Sequence, residues 1–328
     1  MLNVAARVKV SHQSGYGHWV RQCHLARSLI QNGCRVDLYP DTGATIEAIA
    51  VKGAQIIPVT GNDHFLQRLP ADTGLVILDI HDTSPEWIAQ LRRKTPRVAG
   101  FEDLGSGRSH LDLLVDCNLD PEQAGELPNG VEALFGYSYS LLAEEYESVA
   151  RQPRDFKNGV RRVLITMGGS DPNQLTSQIL PSIIEHNPSL QLTVVLGPGF
   201  RQENLLKSWV DLDQVDVISS PKSLGELLLI HDAVICAGGV TLHEALAAGT
   251  PAFVVPQVEH QEDLARKLED RDAAWLVGTP GVVNANFLLE ALETPSRTLM
   301  AMSRRGRSLI DGGGLKRITK ALIDLTEK

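Results

Sequence analysis

The chain has 328 residues, of which 43% are hydrophobic and 22% are charged, and its formal net charge is −9 at pH 7. A single core rarely grows beyond roughly 250–300 residues, so this length favours two domains. Nucleic acids are bound by basic stripes, and the acidic balance argues against them as main partners. No apolar run reaches the roughly 18 residues of a membrane span, and Arg7 and Lys9 interrupt the only signal-like run. We therefore expect a cytoplasmic protein, whose oligomeric state the sequence leaves open.

The four cysteines form neither a CxxC pair nor a zinc-ligand spacing. Three of them, Cys34, Cys117 and Cys236, lie in or beside apolar runs and are predicted to be buried. Cys23 is a less favoured candidate nucleophile. Reduced thiols agree with a cytoplasmic location, and we expect neither a bound metal nor a cofactor.

Short apolar runs alternate with longer amphipathic stretches, a pattern typical of βαβ units and parallel sheets. The predicted strands of the first half are residues 5–10, 35–39, 55–59, 75–78, 98–101 and 113–115. Those of the second half are residues 162–167, 191–196, 215–218, 233–236, 252–255 and 274–277. The predicted helices include residues 19–32, 85–94, 174–186, 223–229, 242–248 and 261–271.

The predicted fold is α/β, with two doubly wound, Rossmann-like domains that face each other across a cleft. A polar, aperiodic stretch predicts a linker at about residues 150–160. The domains are then expected at residues 1–152 and 160–328. Within residues 295–328, three consecutive glycines are expected to separate two helices.

Ligands of doubly wound sheets bind beyond the carboxyl ends of the strands, so the loops there are the candidate site. In the first loop, Gly15, Tyr16 and Gly17 allow close backbone approach before a helix N-terminus, which favours negative charge. His18 is a candidate general acid or base, or a histidine of the helix start without chemistry. Arg21, on the same helical face, is expected to contact a phosphate or to hold His18.

Two further glycine-rich loops follow strands of the second half. The loop with Gly169 and Ser170 is either a ligand loop or a capping turn, in which Ser170 or Asp171 caps the next helix. The segment 236–246 runs from a strand through two glycines into a helix, and its N–H groups are suited to a diphosphate. Glu244 on that helix is placed to accept ribose hydroxyls or merely to complement the helix dipole.

Residues 236–261 resemble the nucleotide-binding half of the GT-B sugar enzymes, of the type that makes lipid II. The resemblance implies that Gly239, Val240 and Thr241 hold phosphates and that Glu244 holds the ribose. It also implies substrate contacts from His260 and Gln261, with Gln261 at the hexose.

The whole chain resembles the UDP-sugar hydrolases of pseudaminic acid biosynthesis and their relatives in spore-coat polysaccharide operons. The resemblance rests on four blocks, at residues 7–21, 102–114, 136–142 and 167–172. It implies release of UDP and a free diacetamido-type deoxysugar from UDP-2,4-diacetamido-2,4,6-trideoxy-β-L-altropyranose. Water would attack the anomeric carbon with the help of His18, and such a scheme needs no metal.

The sequence departs from that hydrolase family at Lys9, at Ser14 and at His81, where a tyrosine is usual. The sugar is therefore open. Two alternatives stay open as well: a GT-B glycosyltransferase that uses a UDP-sugar donor for cell-surface glycan synthesis, and a non-catalytic nucleotide-sugar-binding homologue. Five further polar residues are candidate sugar contacts whose roles the sequence leaves open: Asp79, His81, Asp82, Glu102 and Asp103.

Overall fold

A computed structural model describes residues 1–10, 17–43, 51–122, 130–200, 209, 212–219, 221 and 223–328. The chain divides into two compact units. Unit 1 comprises residues 1–144 and 313–328, and unit 2 comprises residues 145–312.

Unit 1 is built on a parallel sheet of the described residues, in the order β3-β2-β1-β4-β5-β6-β7. Its strands are β1 (Asn3–Val8), β2 (Arg35–Pro40), β3 (Gln55–Ile56), β4 (Leu75–Asp79), β5 (Arg97–Phe101), β6 (Leu113–Asp116) and β7 (Glu132–Phe135). The helices that follow its strands are α1 (Gly17–Gln31), α2 (Asn62–Arg68) and α3 (Pro85–Leu91), with 3₁₀ turns at Ser106–His110 and Tyr137–Tyr139.

The central strands of unit 1 are continuous apolar runs because helices cover both faces of a parallel sheet. Every residue of β4 is buried. Helix α3 begins where its sequence predicts, since the Ser84 hydroxyl accepts a hydrogen bond of 3.3 Å from the Trp87 N–H and Pro85 occupies the first turn.

Unit 2 is built on a second parallel sheet, with the order β10-β9-β8-β11-β12-β13 over the described residues. Its strands are β8 (Arg162–Thr166), β9 (Gln191–Leu196), β10 (Val215–Ser219), β11 (Ala233–Cys236), β12 (Ala252–Val254) and β13 (Ala274–Leu276), followed by the hairpin of β14 (Gly278–Thr279) and β15 (Val282–Val283). Its helices are α4 (Tyr146–Val149), α5 (Leu175–His186), α6 (Leu224–Ile230), α7 (Val240–Ala248), α8 (Glu259–Glu269), α9 (Ala285–Leu292) and α10 (Ser296–Leu309).

The last helix of the chain, α11 (Gly314–Glu327), belongs to unit 1. Its apolar stripe enters the core that α1 forms on one face of the sheet; the stripe consists of Leu315, Ile318, Leu322 and Leu325. The Thr319 hydroxyl donates to the Ser28 hydroxyl of α1 at 2.9 Å. Gly314 is required at the helix start because a Cβ there would lie 2.2 Å from the Ser140 carbonyl oxygen.

The observed units differ from the predicted domains at both boundaries. The chain leaves unit 1 after Glu144, before the predicted end at residue 152, because α4 already packs against unit 2 helices. Residues 313–328, predicted in the second domain, lie in unit 1 because the apolar stripe of α11 completes the core under α1. The two helices expected around the glycines near residue 313 are present as α10 and α11.

Candidate functional site

Each sheet reverses its strand order at one pair of neighbours, β1 and β4 in unit 1 and β8 and β11 in unit 2. Such a reversal leaves a crevice at the carboxyl ends of the two strands, which is where doubly wound sheets bind ligands. In unit 1, Val8 at the end of β1 pairs with Asp79 at the end of β4. The chain that leaves β1 therefore enters α1 beside the end of β4.

Asp79 is the centre of a buried polar cluster at this reversal point. Its carboxylate is fully buried and accepts from His18 Nδ1 at 2.7 Å and from Gln22 Nε2 at 2.9 Å. Arg21 donates to both carboxylate oxygens, through Nη2 at 2.6 Å and Nε at 2.8 Å. His18, Arg21 and Gln22 share one face of α1 because residues three and four apart lie on the same side of a helix.

Glu102 completes the ion pairing of Arg21. It directly follows β5 with a left-handed φ of 49°, and its Oε1 lies 2.8 Å from Arg21 Nη1. The Asn118 amide donates to the same oxygen at 3.1 Å. All three guanidinium nitrogens of Arg21 therefore face carboxylates, and its Nη2 also lies 2.9 Å from Nδ1 of His18. This arrangement favours a role for Arg21 in holding His18 over one in contacting a phosphate.

The charges of this cluster stabilise one another. Burial would raise the pKa of Asp79, but Arg21 and His18 outweigh it and hold that pKa well below its usual range. Burial also opposes ionisation of Glu102, yet the charge of Arg21 leaves the pKa of Glu102 lowered. Burial works against the cation of Arg21, while Asp79 and Glu102 raise its pKa well above the usual value. Both carboxylates are thus anionic acceptors at neutral pH.

His81 joins the cluster from the loop after β4. Its Nδ1 lies 3.1 Å from the backbone oxygen of Glu102, and its Nε2 lies 3.2 Å from Nε2 of His18. The side chain of His18 is 14% exposed, so solvent reaches the ring even though its partners are buried. A histidine held by a buried aspartate, with its second nitrogen turned to other groups, is the arrangement of a general base.

The other two acidic candidates, Asp103 and Asp82, are not part of the cluster around Asp79. Asp103 is buried and accepts from the Gly105 N–H at 2.9 Å and from the Thr83 hydroxyl, so it fixes the loops after β4 and β5. Asp82 is exposed. Gly17 and His18 are the first two residues of α1, whereas Gly15 and Tyr16 lie outside the described residues.

In unit 2, helix α7 begins directly after β11 and Gly239, with no capping side chain among the described residues. The first N–H groups of the helix, from Gly239 to Thr241, therefore have no acceptor within the helix. This is the arrangement by which helix N-termini bind anions. Gly238 is required for packing, since a Cβ there would lie 2.6 Å from the Gln261 carbonyl oxygen. Gln261 accepts from the Gln257 N–H at 2.8 Å through its side-chain oxygen, so the predicted hexose contact lies beside the glycines.

Glu244 lies one turn into α7 and has an unusual protonation equilibrium. Burial raises the pKa of Glu244 to about 7, and the nearby carboxylate of Glu145 adds to the rise. A hydrogen bond from Tyr146 works in the opposite direction. His260 lies on the first turn of α8 and is exposed.

The loop after β8 is a capping turn whose aspartate also holds the neighbouring loop. Asp171, not Ser170, caps α5, and its carboxylate accepts from the N–H groups of Leu175 at 2.8 Å and Thr176 at 2.9 Å. Its Oδ1 also accepts from the Gln257 amide at 3.0 Å. Gly169 and Ser170 are thereby fixed beside the loop that carries Gln261.

Sequence reasoning missed two glutamines and one glycine. Gln22 lies four residues after His18, a spacing that places both on one helical face. Gln257 carries no such signal, because its partner Asp171 is 86 residues away. Gly197 follows β9, and a Cβ there would lie 2.1 Å from the Gly168 carbonyl oxygen, so it allows two loops to pack backbone to backbone.

Among the described residues, no group of three or more His, Cys, Asp or Glu side chains is arranged to hold a metal ion. All four cysteines are buried. Burial raises the pKa of Cys23 to about 12, which argues against a thiolate nucleophile there.

No described helix is long and apolar enough to cross a membrane.

Comparison with known proteins gives one domain match and several similar chains. Residues 162–293 match the Glycosyltransferase family 28 C-terminal domain. The crystal structure of MurG from Acinetobacter baumannii superimposes with a TM-score of 0.67 at 16% identity, covering 99% of this chain and 100% of that one. The chain has a GT-B fold. The predicted pair of Rossmann-like α/β domains is thereby confirmed as the fold.

Two relatives of this GT-B chain are informative. The spore coat polysaccharide biosynthesis protein SpsG of Bacillus subtilis is 27% identical over 337 residues, which cover 97% of this chain and 96% of SpsG. A UDP-N-acetylglucosamine--N-acetylmuramyl-(pentapeptide) pyrophosphoryl-undecaprenol N-acetylglucosamine transferase of Desulfitobacterium hafniense is 28% identical over 181 residues, covering 50% of this chain and 49% of the transferase. The similarity to SpsG thus extends over both units.

Proposed function

We propose that the protein is a glycosyltransferase that moves the sugar of a UDP-sugar donor to a hydroxyl-bearing acceptor in polysaccharide synthesis. The observation that carries the proposal is the dyad of His18 and Asp79 at the reversal point of the first sheet, with a 2.7 Å contact between Nδ1 and Oδ1. The match of residues 162–293 to a glycosyltransferase domain and the similarity to a polysaccharide biosynthesis protein support it.

Unit 2 supplies the donor-binding half of this proposal. The N–H groups at the start of α7 bind the diphosphate, because a helix N-terminus combines free donors with a positive dipole end. Glu244 accepts the ribose hydroxyls in its ionised form. Uridine is favoured as the base because the transferase similar to half of this chain uses a UDP-sugar.

Unit 1 supplies the base. Asp79 and Arg21 hold the ring of His18 at Nδ1. The proposal requires the tautomer in which Nδ1 donates to Asp79, since Nε2 is then able to accept a proton from the attacking hydroxyl. The new bond forms at the anomeric carbon, the bond to the phosphate oxygen breaks, and UDP leaves with its electron pair. General-base catalysis of this kind contributes roughly 10²–10⁴-fold to the rate.

The test compares His18→Ala with the wild-type chain over a panel of UDP-sugars and hydroxyl-bearing acceptors. We expect turnover in the wild type only with donor and acceptor together, and a loss of at least about 100-fold in the variant. UDP binding by calorimetry should be unchanged in the variant, because Gly239 and Glu244 lie in unit 2. Equal inactivity of both proteins over the whole panel, with UDP still bound, would support the non-catalytic alternative.

A UDP-sugar hydrolase is the second candidate function. It is favoured by the four sequence blocks shared with the pseudaminic acid pathway hydrolases, of which the first contains His18 and Arg21. The same dyad would then deprotonate water. Rapid release of UDP and free sugar from a UDP-diacetamido sugar, without an acceptor, would select the hydrolase over the transferase.

A further inference from the structure

The side-chain amide of Gln261 has its orientation fixed by the main chain. Gln261 is the third residue of α8, and its Oε1 accepts a hydrogen bond of 2.8 Å from the Gln257 N–H. A backbone N–H can only donate, so the oxygen of the amide must make this contact. Glutamine at this position of a helix commonly bonds back to the preceding chain, as in a capping box. The amide nitrogen is thereby left for another partner.

The amide nitrogen of Gln261 lies beside the start of α7. A Cβ at Gly239 would be 3.7 Å from Nε2 of Gln261, and a Cβ at Gly238 would be 3.0 Å from its Cβ. No described residue accepts a hydrogen bond from this nitrogen, and the side chain is partly exposed. The two N–H donors of the amide therefore adjoin the N–H groups of residues 239–241, which have no acceptor within the helix.

Gln257, which holds the oxygen of Gln261, is itself held by the loop after β8. Gln257 is buried, its amide donates to Asp171 Oδ1 at 3.0 Å, and its backbone oxygen accepts from the Asn173 amide at 2.9 Å. Asp171 is fixed in turn by the N–H groups of the helix that it caps. The donor nitrogen of Gln261 is therefore in place before a ligand binds, which lowers the entropy cost of binding.

We propose that the amide nitrogen of Gln261 binds the diphosphate of the donor, in place of the hexose contact that the resemblance to the GT-B enzymes implies. The proposal rests on the proposed function, because it adds a residue to the donor site of unit 2. All the contacts that carry it lie within that unit. Gln261 extends the row of N–H donors at the start of α7 by one side chain.

The hydrogen-bonding capacity of Gln261 favours a phosphate over sugar hydroxyls. An ionised phosphate oxygen only accepts hydrogen bonds, and the available atom of Gln261 only donates them. A side-chain amide that binds a pair of hexose hydroxyls with both of its ends needs its oxygen as well, and here the Gln257 N–H occupies that oxygen. A hydrogen bond to an ionised acceptor is also stronger than one to a neutral hydroxyl.

Calorimetry with UDP and with uridine tests the proposal on the full chain. We expect Gln261→Leu, which removes the donors with little change in volume, to bind UDP about 10–100-fold more weakly than the wild type. Its affinity for uridine, which has no phosphate, should be unchanged. Gln191→Leu, at an exposed position of unit 2, is the matched control and should bind both ligands like the wild type. If Gln261→Leu fails to fold, Gln261→Glu replaces it, because a carboxylate keeps the acceptor for Gln257 and loses the donors.

NMR of the side-chain amides gives a direct readout. The N–H₂ signal of Gln261, assigned by its loss in the leucine variant, should shift when UDP is added and stay in place with uridine. Unchanged UDP affinity of the variant, with a raised KM for UDP-sugars, would show a hexose contact and overturn the proposal. If UDP binding depends on Gln261 but no acceptor is glycosylated, the proposal holds and the proposed transferase fails. A wild-type chain that does not bind UDP would overturn both.

Discussion

Arg21 forms a bidentate ion pair with Asp79, with 2.6 Å between Nη2 and Oδ1 and 2.8 Å between Nε and Oδ2. Both side chains are buried, and Arg21 also reaches Glu102. The planar fork of a guanidinium can meet two carboxylates at once, whereas a lysine ammonium is a single point donor.

We therefore expect Arg21→Lys to destabilise the protein by about 3 kcal/mol, because it leaves buried carboxylate oxygens without partners. Urea unfolding measures the change. Arg35→Lys is the matched control, since Arg35 is half exposed and its nearest contact with Asp37 is 3.9 Å. A loss below about 0.5 kcal/mol for both variants would contradict the structural role of Arg21.

Asp79→Asn tests whether Asp79 orients His18, the proposed base, with little change in side-chain volume. The amide removes the charge that stabilises a protonated His18 and can present an N–H where His18 needs an acceptor. We expect turnover to fall by about 10²–10⁴-fold. UDP affinity should stay within about twofold, because the N–H groups proposed to bind the phosphates belong to unit 2. An equal loss of UDP affinity would show that Asp79 supports binding and not the base.

We expect Glu244 to make the proposed binding of UDP depend on pH. Burial raises its pKa to about 7, and only the ionised form accepts two ribose hydroxyls. Calorimetry should show UDP affinity rising as the pH increases from 6 to 8. Glu244→Gln should bind UDP more weakly and lose this dependence. Glu290→Gln, at an exposed position of α9, serves as the control and should keep it.

The same shift sets the sign of a stability effect. A carboxyl whose folded pKa lies at about 7, above its usual 4.5, binds more protons when folded than when unfolded between these values. Its contribution to stability is complete below about pH 4.5 and is lost as the pH rises through about 7. Glu244→Gln should therefore raise the melting temperature more at pH 8 than at pH 5. The reverse order would mean that the carboxylate is stabilised in the fold.

Gly238 and Gly239 provide a matched pair for packing at the start of α7. A Cβ at Gly238 would lie 2.6 Å from the Gln261 carbonyl oxygen, whereas one at Gly239 would meet only the Gln261 amide at 3.7 Å. We expect Gly238→Ala to cost about 1–3 kcal/mol of stability and Gly239→Ala to cost less than about 1 kcal/mol. Equal effects in urea unfolding would exclude the close approach of Gly238 and Gln261.

Much of the fold follows from local pattern, but long-range partners do not. The runs that predicted β1, β4 and β11 are apolar enough to identify buried strands without further information. Helix α11 was predicted as a helix, yet its periodicity does not say which core receives its stripe. Strand β7 was missed because it is only four residues long, begins with Glu132 and contains no fully buried residue.

In the candidate site, too, local sequence pattern identifies single residues but not their long-range partners. His18 could be singled out from its place between a strand and a helix, and Arg21 from their shared helical face. The partners His81 and Glu102 are 63 and 81 residues from His18 and Arg21. Their proximity follows from the strand order β1-β4-β5, which no local pattern contains. The roles of His18 and of the α7 loop remain predictions.

Because helix α11 ends the chain but belongs to unit 1, the two units are completed at different times during synthesis. Unit 2 is complete once residue 312 has been made, whereas unit 1 still lacks the side chains that cover α1. Domains fold as units while the chain emerges from the ribosome. The unit whose synthesis begins first is therefore completed last, and until then the apolar side chains of β5, β6 and α1 that pack against α11 lack this cover.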